Sequence, residues 1–245
     1  MSYTNVFKRY ELKYLLTPTQ RDAVLRGIAP YMQLDDYGRT TIRNIYFDTE
    51  DYRLIRHSIE KPAYKEKLRV RSYKLVGSDD TVFVELKKKY DGVVYKRRIA
   101  LAESVALDWL LGRTESPCDT QISREIDYFM SFYGSLRPSM FLSYEREAFY
   151  ERAGGDFRVT FDDNILCRRT DLSLGCEPSG YSVLPPNRVL MEIKCSGAIP
   201  LWMVKILSAE KIYKTSFSKY GKAYIDTVLC GADKNTVSEE ILINA

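Results

Sequence analysis

The sequence predicts an α+β fold with an antiparallel β-barrel of about eight strands, packed on the outside by helices. Two patterns predict it: short segments in which apolar and charged residues alternate, and stretches of helical periodicity that interrupt them. Turn signals between successive segments favour antiparallel neighbours, because a tight turn returns the chain alongside itself. The predicted strands are residues 6–15, 41–48, 64–74, 81–89, 93–101, 139–149, 156–162 and 188–195.

Local signals place the turns and helices between these strands. Asp91-Gly92 predicts a tight hairpin between the fourth and fifth strands. Thr17, Pro18 and Gln20 supply an N-cap, a first-turn proline and a capping-box partner, so the first helix should begin here. The helices are predicted over residues 18–28, 103–111, 121–133, 199–213 and 218–229.

Composition bounds the domain organisation and the class of protein. The 245 residues are 45% hydrophobic, which is enough for a substantial core. No repeat, low-complexity segment or obvious linker divides them, so we expect a single domain over residues 1–230 and a C-terminal tail over residues 231–245. A net charge of +4 gives no indication of nucleic-acid binding.

Cysteine usage and hydropathy indicate the compartment. The five cysteines include no C-x-x-C pair, and His57 is the one histidine, so a zinc site built from Cys and His is disfavoured. The sequence has neither the apolar core of a signal peptide nor an apolar run long enough to cross a bilayer. We therefore expect a cytoplasmic protein with reduced cysteines and no transmembrane segment.

Charged residues occupy alternate positions in most of the predicted strands. The series are Arg9, Glu11 and Lys13; Lys65, Lys67, Arg69 and Arg71; Glu85, Lys87 and Lys89; Tyr144 and Arg146; Arg158 and Asp162; and Glu192 and Lys194. One such strand is typical of a solvent-exposed sheet face, but repetition with an excess of Lys and Arg favours a shared anion-binding surface. With helices covering the apolar faces, the charged faces would line a hydrophilic tunnel inside the barrel.

The residue types suggest which anion such a tunnel would take. Arginine presents two parallel donors to phosphate oxygens and lysine a mobile point charge, so the set suits a chain of phosphates. Glu192 and Glu11 could hold a Mg²⁺ or Mn²⁺ ion that bridges phosphate oxygens. The alternative for both carboxylates is ion pairing with neighbouring Lys and Arg.

Several short motifs resemble those of the triphosphate tunnel metalloenzymes. They are Tyr46-Phe-Asp-Thr49, Lys67-Leu-Arg-Val-Arg71, Val84-Glu-Leu-Lys87 and Met191-Glu-Ile-Lys194. Within that group the chain is most similar to the VTC domain, the catalytic domain of ATP-dependent polyphosphate polymerases. The particular marks are Tyr144-Glu-Arg-Glu-Ala-Phe149, Glu85-x-Lys87 with Lys96-x-Arg98, and Phe217-Ser-Lys-Tyr220, and the resemblance runs from about residue 6 to 228.

This resemblance implies a set of site residues. Those expected to act on the reacting phosphates are Lys13, Arg69, Arg71, Lys87, Arg146 and Lys219; further substrate contacts would come from Lys96, Tyr144, Arg158 and Ser218, with Lys67 and Lys194 added on their alternation; Glu192, with Glu11, would hold the metal. Arg9 stands where the adenylate cyclase and thiamine triphosphatase branch typically has the first Glu of Glu-x-Glu-x-Lys. The exchange adds phosphate affinity and favours the polymerase branch.

The implied function is transfer of the γ-phosphoryl group of ATP to a growing inorganic polyphosphate, with release of ADP and dependence on Mn²⁺ or Mg²⁺. The chain has no Walker A motif, so ATP would be held through its phosphates. The alternatives are a tripolyphosphatase or nucleoside triphosphatase, and a non-catalytic module that binds polyphosphate or inositol phosphate. An RNA triphosphatase is disfavoured by the modest net charge, and the oligomeric state is left open.

Overall fold

A computed structural model describes residues 10–231 as a single antiparallel sheet with six α-helices. The strands are β1 (Tyr10–Leu16), β2 (Met32–Leu34), β3 (Thr40–Asp48), β4 (Tyr64–Ser72), β5 (Thr81–Tyr90), β6 (Val93–Ala102), β7 (Arg137–Glu151), β8 (Arg158–Arg168), β9 (Tyr181–Ser182), β10 (Val189–Cys195) and β11 (Lys214–Thr215). The helices are α1 (Pro18–Ile28), α2 (Arg53–Ile59), α3 (Glu103–Leu110), α4 (Gln121–Tyr133), α5 (Leu201–Ala209) and α6 (Lys219–Tyr224), and a π-helical turn, Ile225–Leu229, continues α6.

The strand order confirms the predicted α+β class. Neighbours along the sheet are β11-β1-β10-β8-β7-β3-β4-β5-β6, with β2 and β9 paired to β7 and β8 at the side. The eight long strands correspond to the eight predicted ones, and β2, β9 and β11 are short additions of two or three residues.

The sheet curls, but its hydrogen-bonded ladders do not close into a complete barrel within residues 10–231. The path ends at β11 and β6, with no ladder between β1 and β6. The sheet is nonetheless strongly curled, as shown by the 2.7 Å contact between Lys87 Nζ of β5 and Glu11 Oε2 of β1. The charged faces of strands far apart in the ladder order therefore meet.

Four helices cover the convex face of the sheet, as the sequence predicts. α3 and α4 pack Trp109, Ile126 and Phe129 against the outward residues of β3, β4 and β5. α1 and α5 cover β1, β8 and β10 through a second apolar cluster that includes Val24 and Met203. The capping box of α1 is also confirmed, since the Gln20 backbone N–H donates to Thr17 Oγ1 at 3.2 Å and the Thr17 N–H donates to Gln20 Oε1 at 3.0 Å.

The other two helices, α2 and α6, pack on the concave face of the sheet, in addition to the predicted helices outside it. Tyr46 is the ladder partner of both Arg69 and Met140, so all three side chains share the concave face. A third apolar cluster joins Tyr46 and Met140 to Tyr220 of α6 and to Ile55 of α2. The concave face is therefore divided into a charged part and an apolar part that α2 and α6 fill.

Asp48 explains why the sequence does not reveal α2. The residue before this helix, Tyr52, has φ 58° and its side chain makes no capping hydrogen bond. The fully buried Asp48 carboxylate instead accepts the backbone N–H groups of Leu54 at 2.8 Å and Ile55 at 3.0 Å. It also accepts the Tyr220 hydroxyl at 2.9 Å and so ties α2 to α6. A cap supplied from a preceding strand leaves no local signal of the usual kind.

No helix in the described part of the chain combines the length and the apolar character needed to cross a bilayer. The division of the sequence into residues 1–230 and a tail remains a prediction.

We expect Asp48→Ala to lower the free energy of unfolding by at least about 3 kcal/mol, because several buried donors lose their acceptor together. Urea denaturation followed by circular dichroism measures the change. Asp36→Ala is the matched control, since Asp36 is exposed, and it should be nearly neutral. A loss below about 1 kcal/mol for Asp48→Ala would contradict the role given to this carboxylate.

Candidate phosphate-binding site

The first group of charges on the concave face surrounds Glu85 of β5, whose side chain is 1% exposed. Arg69 donates to Glu85 Oε2 from Nε at 2.9 Å and Nη2 at 2.7 Å. Lys96 Nζ lies 2.6 Å from Oε1, and Arg98 donates to the same oxygen from Nε at 2.8 Å. Arg71 Nη1 is 3.8 Å from Oε2. We call Glu85 and these four cations the Glu85 cluster.

One carboxylate cannot neutralise four cations, and the pKa values show the imbalance. Burial would raise the pKa of Glu85, but Arg71 and Arg69 lead the cations that hold it well below its usual range. Burial lowers the pKa of Lys96 to about 7, although Glu85 opposes the shift. Near neutral pH this lysine therefore carries a proton only part of the time.

The second group surrounds two carboxylates on β8 and β10, Asp162 and Glu192. Arg146 makes a two-pronged contact with Asp162, from Nε to Oδ1 at 2.6 Å and from Nη2 to Oδ2 at 2.7 Å. Lys219 Nζ bridges the pair, 2.5 Å from Asp162 Oδ2 and 3.1 Å from Glu192 Oε1. Lys194 and Lys13 approach Glu192 at 3.1 and 3.5 Å. These six residues form the Asp162–Glu192 cluster.

Buried charges in this second cluster shift one another strongly. Burial would raise the pKa of Glu192, but Lys219, Lys194 and Lys13 hold it well below its usual range. Burial would lower the pKa of Lys219, yet Asp162 and Glu192 raise it above the ordinary lysine value. Lys219 is thus a permanent cation, in contrast to Lys96.

A short bridge of residues connects the two clusters. Lys87 pairs with Glu11, whose pKa falls to about 2 although burial opposes the shift. Lys67 Nζ donates to Ser218 Oγ at 3.0 Å, and Lys13 Nζ donates to the Phe217 carbonyl at 2.6 Å. The segment before α6 therefore lies between the clusters and contacts lysines from both sides.

Positive charge predominates on this part of the concave face. The four carboxylates are Glu11, Glu85, Asp162 and Glu192, and the cations are Lys13, Lys67, Arg69, Arg71, Lys87, Lys96, Arg98, Arg146, Lys194 and Lys219. Such an excess in a partly buried place is unfavourable for the folded protein alone and is relieved by a multiply charged anion.

The remaining predicted residues lie as follows. The Tyr144 hydroxyl accepts Arg71 Nη2 at 3.0 Å, and its ring lies under the cations of Arg146 and Lys219, at 5.0 and 4.7 Å from its centroid. Arg158 is the ladder partner of Lys194 and so shares the concave face, but it is exposed at the rim. Arg9 lies outside the described residues.

The carboxylates do not by themselves form a metal centre. Within residues 10–231 no three Asp, Glu, His or Cys side chains come together to hold a metal ion. Glu11 and Glu192 each contact lysines, which was the alternative to metal binding. Because Mg²⁺ commonly binds through one or two carboxylates and completes its shell with phosphate oxygens and water, Glu192 fits such an ion only with a phosphate ligand present.

Sequence reasoning missed three residues of this site. Glu85 and Asp162 stood in the alternating pattern without a role, although each is the central counter-ion of its cluster. Arg98 was noted beside Lys96, and their i, i+2 spacing already placed both on one face of β6. Glu85 precedes Lys87 by two residues, so their shared face of β5 was an available signal, whereas Asp162 has Thr160 and Asn164 at the corresponding positions and its strand gave none.

Comparison with solved structures shows that proteins of similar fold are known. The Bacillus halodurans protein bh2851, named a putative adenylate cyclase, superposes with a TM-score of 0.54 at 14% identity, covering 88% of this chain and 96% of that one. Two further structures give lower TM-scores. A protein of the same designation from Vibrio parahaemolyticus gives 0.48 at 11% identity, covering 88% and 97% of the two chains, and PH1819 from Pyrococcus horikoshii OT3 gives 0.45 at 12%, covering 89% and 99%.

Sequence comparison assigns the family. Curated proteins give no significant match. The family model of the VTC domain matches residues 8–227, which is most of the chain and contains both charge clusters. The chain therefore belongs to the VTC domain family.

Proposed function

We propose that the protein is a polyphosphate polymerase that transfers the γ-phosphoryl group of ATP to the end of a growing inorganic polyphosphate and releases ADP. The observation that carries the proposal is the excess of buried positive charge on the concave face, in a chain of the VTC domain family. A linear chain of phosphates has the charge density and the length to contact both clusters.

The proposed reaction requires no covalent intermediate with a side chain. In phosphoryl transfer, positioning and neutralisation of the equatorial oxygens account for most of the rate enhancement. Arg69 and Arg146 are each held by a carboxylate through two N–H donors, so their orientation is fixed before substrate arrives. A terminal phosphate is already an anionic nucleophile, so no general base is needed.

A divalent cation, Mn²⁺ or Mg²⁺, would complete the neutralisation of the phosphates. Glu192 would supply the protein oxygen for it, and substrate oxygens would supply the others. The ammonium groups of Lys13, Lys194 and Lys219 all lie within 3.5 Å of the Glu192 oxygens. A metal ion on Glu192 would take their place there, so these side chains would turn towards the phosphates.

The deciding experiment is incubation with ATP and Mn²⁺, followed by gel detection of polyphosphate and measurement of ADP and orthophosphate. We expect polymer and ADP in step, with little orthophosphate. Orthophosphate without polymer would instead identify a triphosphatase on the same site. Binding of polyphosphate without turnover of ATP would identify a non-catalytic module.

We expect Arg69→Ala and Lys219→Ala to lower kcat at least about 100-fold, the loss typical when one preorganised donor to the transition state is removed. Arg113→Ala is the control, because Arg113 is an exposed residue paired with Asp108, away from the concave face. Thermal melting checks that each variant folds. Folded Arg69 and Lys219 variants with near-normal turnover would contradict the placement of the reaction.

The affinity for tripolyphosphate should fall as the pH rises above about 7. Below this pH Lys96 is already protonated; above it, binding must first protonate the amine, because the phosphates raise its pKa from about 7. One such proton lowers the affinity by up to about tenfold per pH unit. Titration calorimetry from pH 6 to 9 measures the effect.

Lys96→Arg provides the matched variant for this pH dependence. A guanidinium keeps its proton throughout the range, so the decline of affinity with pH should become shallower. Titration of the ligand itself is common to both proteins and cancels in the comparison. An unchanged slope in Lys96→Arg would show that another group takes up the proton.

A further inference from the structure

Four buried polar residues lie next to one another on the convex face of the sheet. Arg43 of β3 is the ladder partner of Ser72 of β4 and of Ser143 of β7. Arg168 of β8 is the partner of Phe141, which lies two residues before Ser143 on β7. Phe141 belongs to the same apolar cluster as the residues of α3 and α4, so these positions face the convex side. We call Arg43, Ser72, Ser143 and Arg168 the convex polar patch.

Each side chain of the patch has a buried atom without a hydrogen-bond partner. The four residues are 0% to 7% exposed. The unpartnered atoms are Arg43 Nε, Ser72 Oγ, Ser143 Oγ and Arg168 Nη1. Within residues 10–231 six buried side-chain nitrogen and oxygen atoms lack a partner, and four of the six belong to this patch. Because buried polar groups are normally hydrogen-bonded, their concentration at one place points to a ligand that binds them.

The positive charge of the patch is only partly compensated. Arg168 donates to two backbone carbonyls, from Nε to Asp171 at 2.9 Å and from Nη2 to Ser173 at 3.3 Å. The Glu177 carboxylate lies 3.7 Å from Arg43 Nη2, and its side chain is 76% exposed. Burial lowers the pKa of Arg168, although Asp171 opposes the shift. In the described part of the chain, Glu177 is thus the one carboxylate within ion-pair distance of these two guanidinium groups.

The segment 169–180 covers the patch. Its Leu174 packs in the apolar cluster of the convex face, and its carbonyls at Asp171 and Ser173 accept from Arg168. Glu177 is the exposed part of this cover that contacts the patch. A small ligand would therefore reach Arg43 by displacing the Glu177 side chain into solvent, with the rest of the segment left in place.

The unpartnered atoms define the chemistry of the ligand. All four can donate a hydrogen bond, two from guanidinium groups and two from hydroxyls. A water molecule could accept from a hydroxyl, but it would not neutralise two buried guanidinium charges. A tetrahedral dianion carries an oxygen for each donor, and arginine is well suited to such oxygens. Inorganic phosphate and sulfate have this chemistry.

We propose that the convex polar patch binds one tetrahedral oxyanion, inorganic phosphate or sulfate, at a site separate from the charge clusters of the concave face. The anion would accept hydrogen bonds from both arginines and both serines and so link four neighbouring strands, β4, β3, β7 and β8. Burial of the patch restricts the ligand to a small ion. The inference does not rest on the proposed polymerase reaction.

Nuclear magnetic resonance of arginine side chains in the full chain can locate the bound anion. The Nε–H signals of Arg43 and Arg71 are assigned by their loss in Arg43→Lys and Arg71→Lys. Arg71 Nε donates to Asn44 Oδ1 at 2.9 Å on the concave face, so its signal reports binding there, whereas the Arg43 signal reports the patch. Sodium phosphate and sodium sulfate are titrated separately, with sodium chloride at equal ionic strength as the control.

We expect the Arg43 signal to shift and saturate with phosphate, with sulfate or with both, and to stay in place with chloride. In Ser72→Ala/Ser143→Ala the apparent Kd at Arg43 should rise at least about tenfold, because two hydrogen bonds to a charged ligand are lost. The matched control, Ser78→Ala/Ser208→Ala, removes two exposed hydroxyls and should bind as the unaltered protein does. Thermal melting checks that both variants fold.

Three results would overturn the inference. The first is a shift of the Arg71 signal alone, which would place the anion only on the concave face. The second is an Arg43 signal that none of the salts moves, or that chloride moves as much as phosphate. The third is an unchanged Kd in the folded serine variant. Because the titration contains no ATP, its outcome and that of the polymerase assay are independent.

Discussion

The burial of more positive than negative charge on one face of the sheet is the constraint on which the rest of the site depends. Glu85 and Asp162 neutralise part of this positive charge, since each fully buried carboxylate contacts two or more cations. Removing either would leave those cations close together without a counter-ion, at a cost of several kcal/mol. The two carboxylates therefore allow the cations to remain assembled in the free protein, while the excess keeps the site selective for anions.

The fold supplies the geometry that this constraint requires. A curled antiparallel sheet brings β5 opposite β1, as the contact between Lys87 and Glu11 records. α6 then places Ser218 and Lys219 between the strands, and Tyr220 fixes that segment through Asp48 and through stacking on Tyr46 at 4.4 Å. The stacking of Tyr220 on Tyr46 and its hydrogen bond to Asp48 thus fix the position of Lys219, although Lys219 takes part in neither contact.

The sequence predicted the strands and their charged faces well, because a period of two is a local property that each strand carries by itself. It did not predict which carboxylate meets which cation, since Asp162 and Lys219 are far apart along the chain and meet only through the packing of α6. α2 was not predicted for the same reason, since the residue that caps it, Asp48, belongs to β3. The placement of α6 on the concave face also depends on apolar residues such as Met140 and Leu142, which precede Tyr144 and Arg146 on β7.

The two kinds of cation have different parts in this arrangement. The pKa values of Arg69 and Arg146 are raised although burial opposes the shift, so both are charged and oriented at all times. Burial lowers the pKa of both Lys67 and Lys96, and because the pKa of Lys96 falls to about 7, this side chain can lose its proton near neutral pH when no anion is present. That loss relieves part of the repulsion in the free protein. If the ligand is a phosphate chain, as proposed, its binding would restore the proton of Lys96, so the site would gain positive charge together with the anion that neutralises it.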